Sequence, residues 1–352
     1  MNIYDMLKML IEKRGSDLHV VAGAPPTIRV NGSLSAIENT PILNPEQTVT
    51  LINPLMTKEQ QEYIVLHKEI DFGYQFTDKG RFRINVYHTK GALAAALRLI
   101  PNRIRSIDEL QLPDIFHRFA SYKQGLVLIT GPTGEGKSTT LAAVIEEINQ
   151  QRSDHILTIE DPIEFIFESK KSIISQREMN QDTKDWSLAL RSAMREDPDV
   201  VLVGEIRDYE TIASAVTVAE TGHLVFTTLH TNTATQSMDR MIDVFPAHQQ
   251  GQIRQQLASS IKAVVSQRLV PTIEGTQLAV AEILIANSAV KNLIRESKTH
   301  LLENVVQTSS AEGMILMEMS LITKVRQGII SKDRAREFAF RPNIFDQLME
   351  GN

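Results

Sequence analysis

Residues 125–140 read GLVLITGPTGEGKSTT, and no other segment constrains the architecture as strongly. The apolar run Leu126 to Ile129 is followed by a glycine-rich turn and then by Lys137 and Ser138. Beyond them the apolar positions recur at helical spacing, at Leu141, Val144, Ile145 and Ile148. A buried strand, a turn of the form GxxxxGKS and a helix, in this order, are typical of a phosphate-binding loop, or P-loop.

In a P-loop, backbone N–H groups surround phosphate oxygens, and the helix dipole favours negative charge at the helix N-terminus. We therefore predict that Lys137 contacts the β and γ phosphates of ATP and that Ser138 binds Mg²⁺. An ordinary strand–turn–helix connection is the alternative, and the complete motif in its context favours phosphate binding. The predicted nucleotide-binding residues are Gly131, Thr133, Gly134, Glu135, Gly136, Lys137, Ser138 and Thr139.

The composition is that of a globular protein with more than one domain. A chain of 352 residues, 42% of them apolar, is long enough for two or three domains. It has no apolar run of about 18 residues, and residues 1–15 form a charged amphipathic pattern, so we expect a soluble, cytoplasmic protein without direct membrane insertion. Since there is no cysteine, oxygen-bound Mg²⁺ is the expected metal. A net charge of −6 without a basic block argues against nucleic acid as a partner.

We predict a small α/β domain (1–100), a linker (101–113) beginning at Pro101, an α/β core (114–286) and a helical subdomain (287–352). The first domain opens with a helix whose apolar stripe is Ile3, Met6, Leu7, Leu10 and Ile11. Its strand-like segments are Leu18–Val21, Thr27–Val30, Phe72–Phe76, Arg81–Val86 and Ala94–Ile100. In the core, strand-like segments at 126–130, 155–160, 200–204 and 224–229 alternate with helical segments near 137–151, 185–196 and 208–220. This alternation predicts a parallel sheet with helices on both faces.

Polar clusters follow the four predicted strands of the core, at Gly131–Ser138, Glu160–Glu164, Glu205–Asp208 and His230–Thr233. Because ligands of such sheets bind at the carboxyl ends of the strands, one site can collect all four clusters. In the second cluster, Glu160, Asp161 and Glu164 are each candidates for the general base that activates water, and a solvated turn is the alternative.

The segment Val200 to Val203 reads as a buried strand that ends at Gly204 and Glu205. This pattern resembles a Walker B segment, whose carboxylate holds the coordination shell of Mg²⁺. His223 and His230 flank the next strand along the chain. Either imidazole can donate a hydrogen bond to the γ-phosphate or to nearby carboxylates, although an isolated histidine is usually structural.

In the first domain, GRFRIN (80–85) places Arg81 and Arg83 on one face of a strand. One interpretation is the solvated face of an edge strand. The other is a pair of arginines that act on the nucleotide of a neighbouring subunit, which would require an oligomer.

Four segments in succession resemble the motifs of the secretion-ATPase superfamily. They are GPTGEGKSTT (131–140, Walker A), ILTIEDPIEF (156–165, Asp box), LRSAMREDPDVVLVGEIRD (190–208, Walker B) and AETGHLVFTTLHTNTA (219–234, His box). Within the superfamily the chain is most similar to type IV pilus retraction ATPases, because extension and type II secretion ATPases typically carry a four-cysteine zinc subdomain. The resemblance implies an α/β fold with a small PAS-like N-terminal domain, a RecA-like P-loop ATPase domain and a helical C-terminal tail.

The resemblance also implies roles for the motif residues. Those implied to be catalytic are Glu164 of the Asp box, the Walker B acid Glu205, the His-box pair His223 and His230, and Arg81 and Arg83 acting across a subunit interface. Ser138 and Glu205 are implied to hold Mg²⁺. The segment AVKNLIRE (289–296) resembles an element tied to retraction, with Leu293 and Ile294 for packing and Lys291 and Arg295 for charge contacts.

By this resemblance we expect a hexameric Mg²⁺-dependent ATPase that powers type IV pilus retraction and twitching motility through domain movement. The implied partners are an inner-membrane platform protein of the pilus and a paralogous pilus ATPase. The implied location is the cytoplasmic side of the inner membrane, at the pilus base. The alternatives are an accessory retraction ATPase of the PilU kind, which typically has a longer C-terminal tail, and a non-hydrolysing regulatory nucleotide sensor.

Two positions depart from the family pattern. Glu135 stands where the family usually has serine or another small residue, and a carboxylate beside the phosphate loop predicts weaker nucleotide affinity. The segment GMILME (313–318) replaces a pattern closer to GMQTLD, so that Glu318 stands in place of aspartate.

Overall fold

The computed structural model describes residues 1–30, 32–77, 80–100 and 103–350, which divide into two compact units. The first unit comprises Met1–Arg103 together with Pro162–Ile166, and the second comprises Ile104–Asp161 and Phe167–Asn352. Pro101, the predicted start of the linker, lies outside the described residues. This division does not separate the helical tail from the core, and the predicted boundary at residue 287 stays a prediction.

The first unit contains an antiparallel sheet and helices. Its strands are β1 (Asp17–Val20), β2 (Thr27–Val30), β3 (Ser33–Ala36), β4 (Glu69–Phe76), β5 (Gly80–Thr89) and β6 (Ala92–Ile100), and its helices are α1 (Ile3–Glu12), α2 (Pro45–Ile52) and α3 (Lys58–His67), with a 3₁₀ turn at Asn53–Leu55. The strand order is β3-β2-β1-β6-β5-β4, and the neighbouring strands are antiparallel. The five predicted strands are present, whereas β3, α2 and α3 were not predicted.

Helix α1 is the predicted first helix, and its cap and apolar stripe explain why it forms. The Asn2 side chain accepts a hydrogen bond from the Asp5 N–H at 2.9 Å, and the Asp5 carboxylate accepts one from the Asn2 N–H at 3.1 Å. This reciprocal capping box satisfies backbone groups that an uncapped helix would leave exposed. The predicted apolar stripe is confirmed, with Ile11 packed against the core in which the other four members are buried, Ile3, Met6, Leu7 and Leu10.

The second unit alternates strands and helices before it becomes helical. Its strands are β7 (Gly125–Thr130), β8 (His155–Glu160), β9 (Ile173–Glu178), β10 (Val200–Val203), β11 (Leu224–Leu229), β12 (Ile261–Pro271) and β13 (Gln277–Ile285). Its helices are α4 (Ile115–Ser121), α5 (Lys137–Gln151), α6 (Trp186–Ala193), α7 (Tyr209–Glu220), α8 (Ala234–Asp243), α9 (Ala247–Ser260), α10 (Ser288–Arg295), α11 (Leu302–Thr308), α12 (Met317–Arg326), α13 (Lys332–Phe338) and α14 (Pro342–Glu350). Short 3₁₀ turns lie at Thr299–Leu301 and Ser310–Glu312.

The predicted parallel sheet is confirmed and is larger than expected. Its order is β13-β12-β7-β11-β10-β8-β9, with every neighbouring pair parallel except β12 and β13. Strands β9, β12 and β13 were not predicted. All six residues of β7 are buried, as expected for a strand in the interior of a parallel sheet.

Arg341 joins the tail to the sheet by ion pairs, in addition to the backbone pairing of Ile315 with Ile283 of β13. Arg341 Nη2 lies 3.0 Å from Glu282 of β13 and 2.9 Å from Glu318 of α12, and Arg341 Nη1 contacts Glu303 of α11. Glu318 is fully buried and also accepts the Arg341 backbone N–H at 2.8 Å. The glutamate that departs from the family pattern is therefore a partner of this arginine. Burial raises the pKa of Glu282, although the Ala234 N–H and Arg341 both act to lower it.

Replacement of Arg341 by Met should destabilise the second unit by about 3 to 5 kcal/mol at pH 7, because two buried carboxylates lose their cation. The loss should shrink as the pH falls from 7 towards 5. A buried carboxyl whose pKa is raised lowers the free energy of unfolding only while it is ionised. This cost falls as the pH drops and vanishes near the pKa that the same carboxyl has in the unfolded chain. Urea unfolding at several pH values measures both effects.

The matched control is Arg336→Met, which breaks the exposed ion pair between Arg336 and Asp346. We expect this variant to lose at most about 1 kcal/mol. An equal loss in the two variants would show that Arg341 does not join the tail to the sheet.

Candidate functional site

The P-loop lies between the end of β7 and the start of α5, against strand β12. Gly131 has φ 143°, and a Cβ added there would lie 2.5 Å from the backbone oxygen of Gln267. Gly136 is the N-cap of α5 with φ 75°, in the left-handed region. Both positions therefore require glycine, because side chains are strained at these φ values and the first would also collide with backbone. The close approach to β12 shapes the loop.

Lys137 is held inside this loop. Only 8% of the residue is exposed, and its ammonium donates to the carbonyl oxygens of Gly131 and Pro132 at 2.8 and 2.9 Å. Thr133 and Gly134 are exposed at the tip of the loop, and Ser138 and Thr139 are half-buried in the first turn of α5. A lysine ammonium together with the free backbone N–H groups of a helix N-terminus is suited to bind polyphosphate.

The predicted acid Glu205 and the predicted histidine His230 lie within hydrogen-bond distance of each other, at the carboxyl ends of β10 and β11. Glu205, just after β10, lies 3.1 Å from Nε2 of His230, which follows β11. Arg207 contacts the other oxygen of the same carboxylate. The Thr228 hydroxyl donates to the Gly204 carbonyl at 2.6 Å and so fixes the backbone before the acid. Glu205 is thus oriented by partners in the segments that follow β10 and β11.

His223 does not share this site within the subunit. It precedes β11, so the length of the strand, about 20 Å, separates it from His230. Its Nδ1 lies 2.9 Å from the Val218 carbonyl, and its own carbonyl accepts the Gly125 N–H at 2.9 Å. These contacts hold the amino end of β11, and a catalytic role of His223 stays a prediction.

The three Asp-box carboxylates have different environments. Glu160 ends β8 and is buried, accepting from the Thr158 hydroxyl at 2.7 Å and from Gln176 Nε2 at 3.3 Å. Asp161 and Glu164 are exposed. Glu164 lies in Pro162–Ile166, which groups with the first unit.

The two arginines lie on β5 of the first unit. This strand has β4 on one side and β6 on the other, so the interpretation as an edge strand is wrong. Arg83 Nη2 lies 2.6 Å from Asp71 Oδ2 on β4, and its Nε makes a second contact at 3.0 Å. Arg81 is half-buried and lies opposite Gln75.

Strand β12 supplies contacts that the sequence did not reveal. The Thr140 hydroxyl donates to Gln267 Oε1 at 2.8 Å, and Gln267 Nε2 donates to the Glu135 carbonyl at 2.6 Å. Beside the loop, a cavity of about 230 Å³ is lined by Arg105, Leu112, Gly136, Thr139, Gln277 and Leu278. In the sequence, an apolar run is interrupted by three polar residues, Ser266, Gln267 and Arg268. This interruption was the available sign of the contacts, but it obscured the strand.

Helix α10 contains most of the AVKNLIRE segment. Val290 and Ile294 are fully buried, whereas Leu293 is half-buried, so Ile294 packs inside its own subunit and does not offer a surface to a partner. Burial and the neighbouring charges of Lys262 and Arg295 lower the pKa of Lys291. This end of the unit therefore carries a concentration of positive charge.

The site fits a nucleotide and its metal. The glycine positions that a Cβ would fill and the enclosed ammonium of Lys137 suit a polyphosphate. Ser138 and Glu205 offer the hydroxyl and carboxylate oxygens that Mg²⁺ prefers. In the part of the chain that the structure describes, no helix is long and apolar enough to cross a membrane.

The family described as type II/IV secretion system protein matches residues 3–344. The PilT protein of Pseudomonas aeruginosa, described as a type IV pilus retraction ATPase, is 45% identical over 345 residues, which cover 98% of this chain and 100% of PilT. PilU of the same organism, described as a type IV pilus ATPase, is 38% identical over 344 residues, covering 97% of this chain and 90% of PilU. A crystal structure of the pilus retraction motor PilT with bound ADP has a TM-score of 0.92 and 43% identity, covering 99% of both chains.

Proposed function

Because this chain belongs to the family of type II/IV secretion system proteins, we propose that it is a Mg²⁺-dependent ATPase that powers the retraction of type IV pili. The observation that carries the proposal is the P-loop, where two required glycines and the enclosed Lys137 form a phosphate cradle at the start of α5. The similarity to PilT over nearly the whole of both chains supports retraction as the output.

The nucleotide would bind along the loop and the cavity beside it. The loop N–H groups and Lys137 would hold the β and γ phosphates, with the ammonium turning from the two carbonyls it now contacts. The cavity next to Gly136 and Thr139 would hold the ribose and base, between Arg105, Leu112, Gln277 and Leu278. ADP bound to PilT supports this class of ligand.

Ser138 and Glu205 would hold Mg²⁺. When bound, the ion neutralises phosphate charge and aligns the γ-phosphate for attack. Glu205 is prepared for this role because His230 and Arg207 orient both of its oxygens. His230 would also sense the γ-phosphate, since its imidazole stands beside the carboxylate at the carboxyl end of β11.

Glu164 is proposed as the general base. The neighbouring Glu160 is buried and already accepts hydrogen bonds from Thr158 and Gln176, so its carboxylate is suited to holding the end of β8. Glu164 is exposed, so water can reach its carboxylate.

We further propose a homohexameric ring in which Arg81 and Arg83 stabilise charge on the nucleotide of a neighbouring subunit. Both arginines lie on a unit that carries no P-loop, and Arg83 would have to exchange Asp71 for phosphate. The ring would work on the cytoplasmic face of the inner membrane, with the pilus platform protein as partner and a paralogous pilus ATPase as a second. The basic end of α10, with Lys291 and Arg295, is suited to that contact.

An accessory role like that of PilU is the second candidate. The lower identity to PilU, 38% against 45%, favours the principal motor. A non-hydrolysing sensor is less well supported, because a sensor would not require Glu205 oriented by His230 beside the P-loop.

Lys137→Ala should lower ATP turnover at least about 100-fold, because the charge that meets the β and γ phosphates is removed. In cells this variant should leave surface pili in excess and immobile, as expected when retraction is lost. Steady-state phosphate release and fluorescence imaging of pili measure the two effects. The control is Lys123→Ala, an exposed lysine before β7, which should behave as wild type. Bald cells would indicate extension instead, and normal turnover would refute the P-loop assignment.

Glu164→Gln should bind ATP normally but hydrolyse it at least about 100-fold more slowly, because an amide cannot accept a proton from water. Glu160→Gln is the matched control and should retain turnover within about threefold. Single-turnover kinetics with nucleotide affinities separate binding from chemistry. The opposite pattern in the two variants would assign the base to Glu160.

Mixing Arg81→Ala/Arg83→Ala subunits with Lys137→Ala subunits should restore part of the activity that each protein lacks alone. Some interfaces in a mixed ring would pair an intact P-loop with intact arginines. ATP turnover is measured after native mass spectrometry has confirmed mixed rings. Without recovery in such rings, the arginines do not act across subunits.

A further inference from the structure

Glu135 is attached to strand β12 where that strand extends past the end of β7. The pairing of β7 with β12 ends at Thr130 and Ser266, but β12 continues to Pro271. The Glu135 carboxylate accepts the backbone N–H of Leu269, in the part of β12 beyond this pairing. The side chain thus provides a hydrogen-bond acceptor for this half-buried N–H at a point where the pairing of β12 with β7 has stopped, although β12 still pairs with β13 there.

Arg268 neutralises the same carboxylate. Its Nη1 lies 3.2 Å from Glu135 Oε1, and the two side chains are only 22% and 16% exposed. Its Nη2 donates to Asn232 Oδ1 at 2.9 Å, and its guanidinium lies 5.6 Å from the centre of the Phe340 ring. The arginine is therefore fixed by the loop after β11 and by the tail as well as by Glu135, which leaves it little freedom to move away.

We propose that Glu135 and Arg268 together position the P-loop for nucleotide binding. This inference rests on the proposed function. Glu135 fixes the loop backbone to β12, and Arg268 keeps the carboxylate from repelling the phosphates. The single hydroxyl oxygen of a serine lies two positions nearer the backbone than the carboxylate oxygens of Glu135, so it could not make both contacts. The pair thus offsets the weaker affinity that a carboxylate at this position would cause by itself.

The proposal gives the two single variants unequal effects. Glu135→Ala removes the side-chain attachment and the charge together, whereas the hydrogen bond from Gln267 to the Glu135 backbone carbonyl remains. Arg268→Ala removes the cation but leaves a carboxylate beside the phosphate site, where repulsion is weakly screened because the group is mostly buried. The Arg268→Ala variant should therefore bind nucleotide more weakly than the double variant, although the double variant lacks more contacts.

The experiment measures the dissociation constant of a fluorescent ADP for the full chain and for Glu135→Ala, Arg268→Ala and the double variant. We expect Arg268→Ala to lose about tenfold or more in affinity, and the double variant to regain at least about fivefold of that loss. Raising the ionic strength from about 0.05 to 0.5 M should reduce the loss in Arg268→Ala and affect the double variant less.

A further variant distinguishes the effect of the unpaired charge on ADP affinity from the effect of misfolding. In Glu135→Gln/Arg268→Ala the amide oxygen still accepts the Leu269 N–H but carries no charge, so it should bind ADP better than Arg268→Ala. Thermal melting without nucleotide verifies that each variant is folded. The matched control is Arg334→Ala, which breaks the exposed ion pair of Arg334 with Glu337 and should leave the affinity unchanged.

If the double variant binds ADP as weakly as Arg268→Ala or more weakly, while the wild type binds normally, the pair is only structural and the proposal is overturned. If the wild type itself binds no ADP, the proposed function fails and this inference fails with it. The wild-type measurement therefore distinguishes the two outcomes.

Discussion

The parallel pairing of β7 with β11 on one side and β12 on the other is the constraint on which the site depends. In this register Thr130 lies opposite both Leu229 and Ser266, so these strands reach the same edge of the sheet. Because β10 is parallel to β11, the P-loop, His230 and Glu205 come to one edge. The same geometry sends His223 to the opposite edge.

Charge is balanced locally around the phosphate site. Among the described residues, Glu205 has His230 and Arg207 as partners, and Glu135 has Arg268. An uncompensated carboxylate in a poorly hydrated site would oppose the binding of a polyanion, and a partly buried charge is costly in any case. The pairing leaves the ammonium of Lys137 and the loop N–H groups to dominate the potential that a phosphate meets.

Two adjacent residues of the tail reach the core in different places. Phe340 lies against Arg268 of β12, and Arg341 meets the buried carboxylates of Glu318 and of Glu282 on β13. The last helices are therefore packed into the second unit, around an apolar cluster that includes Val270, Val280, Leu321 and Phe345. The tail thus contacts the same arginine of β12 that pairs with Glu135 of the loop.

Local sequence was sufficient for the features that depend on neighbouring residues. The P-loop, the apolar stripe of α1, the alternation of strands and helices and the position of Glu205 at the end of a strand follow from spacing, periodicity and side-chain chemistry within a few residues. Strands β12 and β13 were missed because polar residues interrupt their apolar runs, and β12 lies beside β7, a strand far earlier in the chain. The contact of Glu135 with Leu269 spans 134 positions, and that of Arg341 with Glu282 spans 59. No local pattern encodes such contacts, because they arise only when the strand order places β12 beside β7 and the tail beside β13.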